Sequence, residues 1–149
     1  MHRILVLHGP NLNAMGMREQ DIYGQASLAD IDRRLQQLGA ELQVEVESLQ
    51  SNHEGVLIDA LYQARGRSDG VLLNAGGLTH TSVALRDAVV AAGLPVVEVH
   101  VSNPHARESF RHRSHLSGAA LGVVQGFGPD SYLLALRGLA ARLGHGPRA

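Results

Sequence analysis

Tyr23 follows Arg18 by five residues inside a segment bracketed by Gly16 and Gly24, and the pair could form a base. A free phenol has a pKa of about 10, so about one in a thousand is ionised near neutrality. A guanidinium close by favours the phenolate, and each pKa unit lowered needs about 1.4 kcal/mol of preferential stabilisation. Two arginines could supply about two units, enough to make Tyr23 a general base. The same spacing also suits a surface tyrosine whose ring packs on its loop. Glu98 and His100 are two residues apart at the end of an apolar run, so they share one face of a strand. A carboxylate beside an imidazole orients it and keeps it protonated longer, which fits a proton donor to a leaving hydroxyl; a purely structural ion pair is the alternative. Arg107 and Arg111 share a face if their stretch is helical, where they could grip a carboxylate or crowd Tyr23. Asn74 leaves a strand and His80 precedes a helix, with Gly76 and Gly77 between them allowing backbone close to a ligand.

Composition narrows the chemistry. All 13 lysine-plus-arginine positions are arginine, so an imine at a lysine amine and the usual attachment of pyridoxal phosphate are excluded. Cysteine is absent, which removes disulfides, a thiolate nucleophile and thiolate-held metal. The nine histidines show no HExxH or comparable ligand spacing, so no metal is expected. Neither GxGxxG nor GxxxxGK[ST] occurs, which disfavours a nucleotide enzyme. A net charge of −1 disfavours a nucleic-acid partner. No apolar run approaches a membrane span, and the N-terminus does not read as a secretory signal, so a cytoplasmic protein is expected.

These residues need elements to position them. Apolar runs at Arg3–Leu7, Gly70–Leu73, Pro95–Val99 and Ala119–Gln125 read as buried strands, and Leu42–Leu49 alternates as a half-buried one. Helices are expected over Ser27–Leu38 (Ser27 capping, Gly39 stopping), His53–Ala64 (Asn52 capping; Val56, Leu57 and Leu61 inward), Thr81–Ala92 and Asp130–Leu143. Their alternation predicts one α/β domain over residues 1–149: a flavodoxin-like, doubly wound, five-stranded parallel sheet, with a mobile tail at about 145–149. Ligands in such folds sit beyond the carboxyl ends of the strands, which selects segments 8–24, 74–82 and 100–115. A flavodoxin-like module that binds a small anion is a second reading. It would need neither the Tyr–Arg nor the His–Glu couple.

Five motifs occur in order: GPNLN, REQDIYG, QSNHEG, NAGGLTHTSVALRD and EVHVSNPHARESFR. Together they make the chain resemble the type II 3-dehydroquinate dehydratases from about Ile4 to Leu139. The resemblance implies dehydration of 3-dehydroquinate to 3-dehydroshikimate by anti elimination through an enolate, a step shared by shikimate formation and quinate breakdown. It implies Tyr23 as base, held as phenolate by Arg18 with Arg107 nearby. Asn11 would fix a water or donor that stabilises the enolate, and His100 would be the acid, with Glu98 behind it. Asn74, His80, Asp87, Arg111 and the backbone around Val101 and Ser102 would bind substrate. No metal or organic cofactor is implied. The implied assembly is a dodecamer of trimers in which Asp87 reaches a neighbouring subunit's site, although Arg86-Asp87 also reads as a solvated surface pair. His8 stands where the family pattern usually has asparagine.

Overall fold

The structure is a computed structural model that describes residues 1–16 and 26–144. Its strands are β1 (His2–His8), β2 (Val44–Gln50), β3 (Gly70–Asn74), β4 (Val96–His100) and β5 (Gly122–Gln125). Among the described residues the α-helices are α1 (Leu28–Leu42), α2 (Glu54–Ala64), α3 (Val83–Ala92) and α4 (Asp130–Gly144). The strands form one sheet in the order β2-β1-β3-β4-β5, every neighbouring pair parallel. This is the doubly wound, flavodoxin-like α/β arrangement expected from the alternation of patterns.

The period-2 geometry of the strands sorts their side chains onto two faces. Ile4, Val6, Leu72, Val97 and Val99 pack with Ile31 and Leu35 of α1 and Leu136 and Leu139 of α4. Leu5, Leu7, Val71, Leu73 and Val96 pack with Leu57 and Leu61 of α2 and Leu85 and Val89 of α3. β1, β3 and β4 are apolar on both sides because both sides are covered, which is why they read as continuous runs.

Several boundaries differ from expectation, each for a local reason. Ser27 caps α1 in a full capping box with Asp30, but α1 continues past Gly39 to Leu42 and ends at Gln43 in the left-handed region (φ 57°). Gly39 is a packing residue. A β-carbon there would lie 2.8 Å from Val46 Cγ2 and 3.0 Å from the Val44 carbonyl oxygen. α2 is not capped by Asn52; its N-cap is His53, without a side-chain bond. Of the residues expected inward on α2, Leu57 and Leu61 are fully buried, whereas Val56 is exposed. α3 starts at Val83, because the Ser82 hydroxyl accepts from the Leu85 N–H and fixes the N-cap there. The Ser82 hydroxyl also donates to Glu54, tying the start of α3 to that of α2. β5 begins three residues later than expected, since Ser117–Ala119 forms a 3-10 turn.

Candidate active site

β1 and β3 are adjacent, and their connections leave to opposite sides of the sheet. That is the switch point where open α/β sheets hold ligands. Two glycines let the loops after these strands close together. The Gly9 N–H donates to the Asn74 carbonyl at 2.7 Å, and a β-carbon on Gly9 would meet Ala75 backbone at 2.6 Å. Gly76 has φ +58°, with the Pro10 carbonyl oxygen 2.9 Å from where its β-carbon would be. Asn11, at φ 70°, is held by its N–H donating to Asn52 Oδ1 at 2.9 Å. The Asn52 side chain, expected to cap a helix, thus braces the loop after β1.

A cavity opens at this edge. Asn11 from the first loop, Asn74, Gly76, Gly77 and His80 from the second, and His100, Val101, Ser102, Arg107 and Arg111 from the third all line it. Arg107 and Arg111 do not share a helix. They sit in the region of two short 3-10 turns, Pro104–Ala106 and Ser109–Arg111, and reach the cavity by tertiary placement. Arg107 donates to the Ser102 hydroxyl at 3.3 Å, and Arg111 pairs with Glu108 at 2.9 Å. Two guanidinium groups on the rim make this an anion-accepting cavity.

His100 and Glu98 meet on the α2/α3 side of the sheet. His100 Nε2 lies 2.6 Å from Glu98 Oε2, both residues buried. The other carboxylate oxygen, Oε1, accepts from the Ser117 hydroxyl at 2.6 Å and the Ser114 hydroxyl at 3.0 Å. Burial works against ionisation of Glu98. The bonds from His100, Ser117 and Ser114 outweigh it and hold the carboxyl below its ordinary value. An ionised Glu98 takes the Nε2 proton of His100 as its hydrogen bond, which leaves Nδ1 as the nitrogen that can exchange a proton. The serine clamp was not anticipated from sequence. Ser114 and Ser117 lie 16 and 19 residues beyond Glu98, and no local spacing signals them.

His80 stacks on His100 with ring centroids 6.3 Å apart. Burial lowers its pKa, and the nearby charges of His100 and Arg111 lower it further against the raising effect of its bond to the Arg113 carbonyl. His80 is therefore a neutral imidazole at pH 7, its Nδ1–H donated at 2.8 Å and its Nε2 an acceptor.

Of the residues singled out by sequence, Asn11, Asn74, His80, His100, Val101, Ser102, Arg107 and Arg111 come together, and Glu98 stands directly behind His100. Asp87 is exposed on α3 and does not line this cavity. Its neighbour Arg86 is no solvated partner, because its guanidinium donates to the His115 carbonyl at 2.7 Å. Arg18 and Tyr23 lie outside the described residues.

The likeness to known proteins covers the same span. The sequence pattern of the family described as "Dehydroquinase class II" matches residues 2–140. A 3-dehydroquinate dehydratase of Gloeobacter violaceus is 59% identical over 93% of this chain and 86% of its own. One from a Nostoc species is 56% identical over 94% of this chain and 95% of its own. The crystal structure of a type II dehydroquinase from Butyrivibrio crossotus superposes with a TM-score of 0.91 at 38% identity, covering 93% of this chain and 97% of that one. With the family pattern spanning nearly the whole sequence and the fold matching throughout, this chain belongs to the class II dehydroquinase family.

Proposed function

We propose that the protein dehydrates 3-dehydroquinate to 3-dehydroshikimate by anti elimination, with Tyr23 as base and His100 as acid. Tyr23, ionised beside Arg18 and Arg107, takes the proton from the carbon α to the ketone. The electron pair moves onto the ketone oxygen, and the resulting enolate is stabilised by a water or donor fixed by Asn11. The enolate collapses as the carbon–oxygen bond to the leaving hydroxyl breaks, and His100 supplies the proton that turns it into water. Arg111, Asn74, His80 and the backbone around Val101 and Ser102 hold the substrate's carboxylate and hydroxyls. Asp87 contributes to a neighbouring subunit's site in a dodecamer of trimers, in the cytoplasm.

The observation that carries this reading is the clamp on Glu98. Three donors fix one buried carboxylate, and that carboxylate fixes the imidazole on the cavity wall. An imidazole so backed is suited to protonating a leaving hydroxyl. A passive anion-binding module has no use for such a donor. The other tyrosines support Tyr23 as base. Tyr62 is exposed on α2, and burial first of all pushes the Tyr132 phenol well above its ordinary value.

The test is ultraviolet absorbance with 3-dehydroquinate and no added cofactor. A rise from the conjugated enone product is expected, with Tyr23→Phe turning over orders of magnitude more slowly at nearly unchanged KM. A flat trace with the unaltered protein rejects the activity; near-normal turnover in Tyr23→Phe rejects the base.

A further inference from the structure

Asn74 is 3% exposed at the end of β3, and both ends of its amide are engaged. Its Oδ1 accepts from the Gly76 N–H at 3.1 Å, and its Nδ2 donates to the Tyr132 hydroxyl at 2.9 Å. The Tyr132 hydroxyl lies 2.8 Å from His8 Nδ1, and His8 Nε2 lies 2.8 Å from Asp32 Oδ1. His8 and Tyr132 are both fully buried, whereas Asp32 is partly open to solvent. The chain runs across four elements: α1 gives Asp32, β1 gives His8, α4 gives Tyr132 and β3 gives Asn74.

The donors and acceptors in this chain can be assigned in one direction. Gly76 N–H must meet the amide oxygen, which puts the Asn74 nitrogen against Tyr132. The phenol oxygen therefore accepts from Asn74, and its own proton goes to His8 Nδ1. The remaining proton of a neutral His8 sits on Nε2 and is donated to Asp32, a carboxylate that only accepts. In the alternative, a doubly protonated His8, the phenol oxygen would face the His8 Nδ1–H on one side and the Asn74 Nδ2–H on the other. It would strand the phenol's proton in a place where, among the described residues, His8 is its one acceptor. Reversing the amide would face two donors toward each other at Gly76 and leave a buried polar group unpaired.

From this geometry we infer that Asp32, His8 and Tyr132 are positioning residues, a buried relay that fixes which way the Asn74 amide points in the cavity. Asn74 then presents the cavity with one N–H and one carbonyl lone pair in set places. Among the described residues that line the cavity, Asn74 is the one this relay touches, and none of the three relay residues lines it.

The kinetic arm rests on the proposed dehydration; the spectroscopic arm does not. In the kinetic arm, Tyr132→Phe and His8→Leu are compared with the unaltered protein on 3-dehydroquinate. KM is expected to rise about tenfold with kcat changed by less than about threefold, since an orienting contact to substrate is lost. His8→Asn should restore most but not all of the lost KM, because its Oδ1 falls near where Nδ1 stood and can accept the Tyr132 proton, whereas the bond to Asp32 is lost. In an Asn74→Ala background, Tyr132→Phe should have no further effect on KM. A merely structural role would lower Tm in both backgrounds and leave KM of the folded protein unmoved. Unchanged KM in folded Tyr132→Phe and His8→Leu, or an undiminished effect of Tyr132→Phe without Asn74, overturns the inference.

The spectroscopic arm is nitrogen NMR of the histidine rings in the unaltered protein, which also decides the matter should the variants fail to fold. His8 with a proton on Nε2 and none on Nδ1 supports the relay, and a protonated Nδ1 overturns it. Should the unaltered protein fail to turn over 3-dehydroquinate, the proposed activity falls, and the ring protonation of His8 still decides the relay.

Discussion

At the scale of single residues, the cavity wall sets a firmly held carboxylate behind His100 and a neutral imidazole, His80, beside it. Glu98 has a folded-state pKa below the ordinary 4.5, because the donors around it outweigh its burial. A carboxylate with a depressed folded value adds stability that is complete above the unfolded value and is lost as pH falls through the folded one. Glu98→Gln is therefore expected to lower Tm at pH 7, corresponding to about 1–3 kcal/mol for disrupted charge-assisted bonds. It should also flatten the loss of Tm as pH drops below about 4.5, since the titrating group is gone. Thermal melts of both proteins from pH 7 to pH 3 check this, and parallel curves would mean that the clamp carries no ionisation energy. His80 has the opposite chemistry. Burial and its cationic neighbours keep it neutral, so it faces the cavity as a lone-pair acceptor rather than a second cation beside Arg111.

At the scale of elements, the sheet's two faces supply different parts of the site. Glu98 and His100 emerge on the α2/α3 side, whereas Asn74 and His8 emerge on the α1/α4 side with Tyr132. The cavity lies where both sets reach the carboxyl edge, so the packing of each helix layer affects one half of the constellation. The contact of α1 with β2 rests on the bare Cα of Gly39. Alanine at a helix interior is ordinarily better than glycine by about 1 kcal/mol. Here the added methyl must displace Val46 and backbone at Val44, and overpacking of that kind costs about 1–3 kcal/mol. Gly39→Ala should therefore destabilise by about 1 kcal/mol in urea denaturation. A stabilised variant would show that α1 and β2 do not meet there as tightly as described.

At the scale of the whole molecule, several large apolar side chains stand open on the single chain, among them Val83 and Val90 on α3, Phe110 in the Ser109–Arg111 turn, Phe127 in the loop after β5, and Leu134 on α4. Asp87 is on α3 as well, exposed and away from its own chain's cavity. An assembly that buries these surfaces suits the proposed dodecamer of trimers. Multi-angle light scattering should give a mass about twelve times that of one 15.9 kDa chain, with a trimer as the smaller stable species. A monomer at all accessible concentrations would remove the shared-site role of Asp87. Among the described residues, no helix is long and apolar enough to cross a membrane.

The sequence by itself determined the alternation of strands and helices, the parallel sheet and the three loop segments that border the cavity, because burial on two faces forces continuous apolar runs and glycine or polar residues punctuate them. It also determined that imine chemistry at lysine is absent, since no lysine exists. Asn74, His80, His100, Arg107 and Arg111 were legible as candidates from residue type and spacing, and Asn11 only through the family resemblance; where each points was not. Gly39 looked like a helix stop, because glycine that ends a helix and glycine that admits a neighbouring strand have the same letter. Ser114 and Ser117 on Glu98, Asn52 on the backbone of Asn11, and the line from Asp32 through His8 and Tyr132 to Asn74 were decided only in three dimensions. Those bonds join residues 16 to 124 positions apart. Hydrogen bonding at that range depends on which strand ends the fold lays side by side, and no local pattern in a chain encodes it.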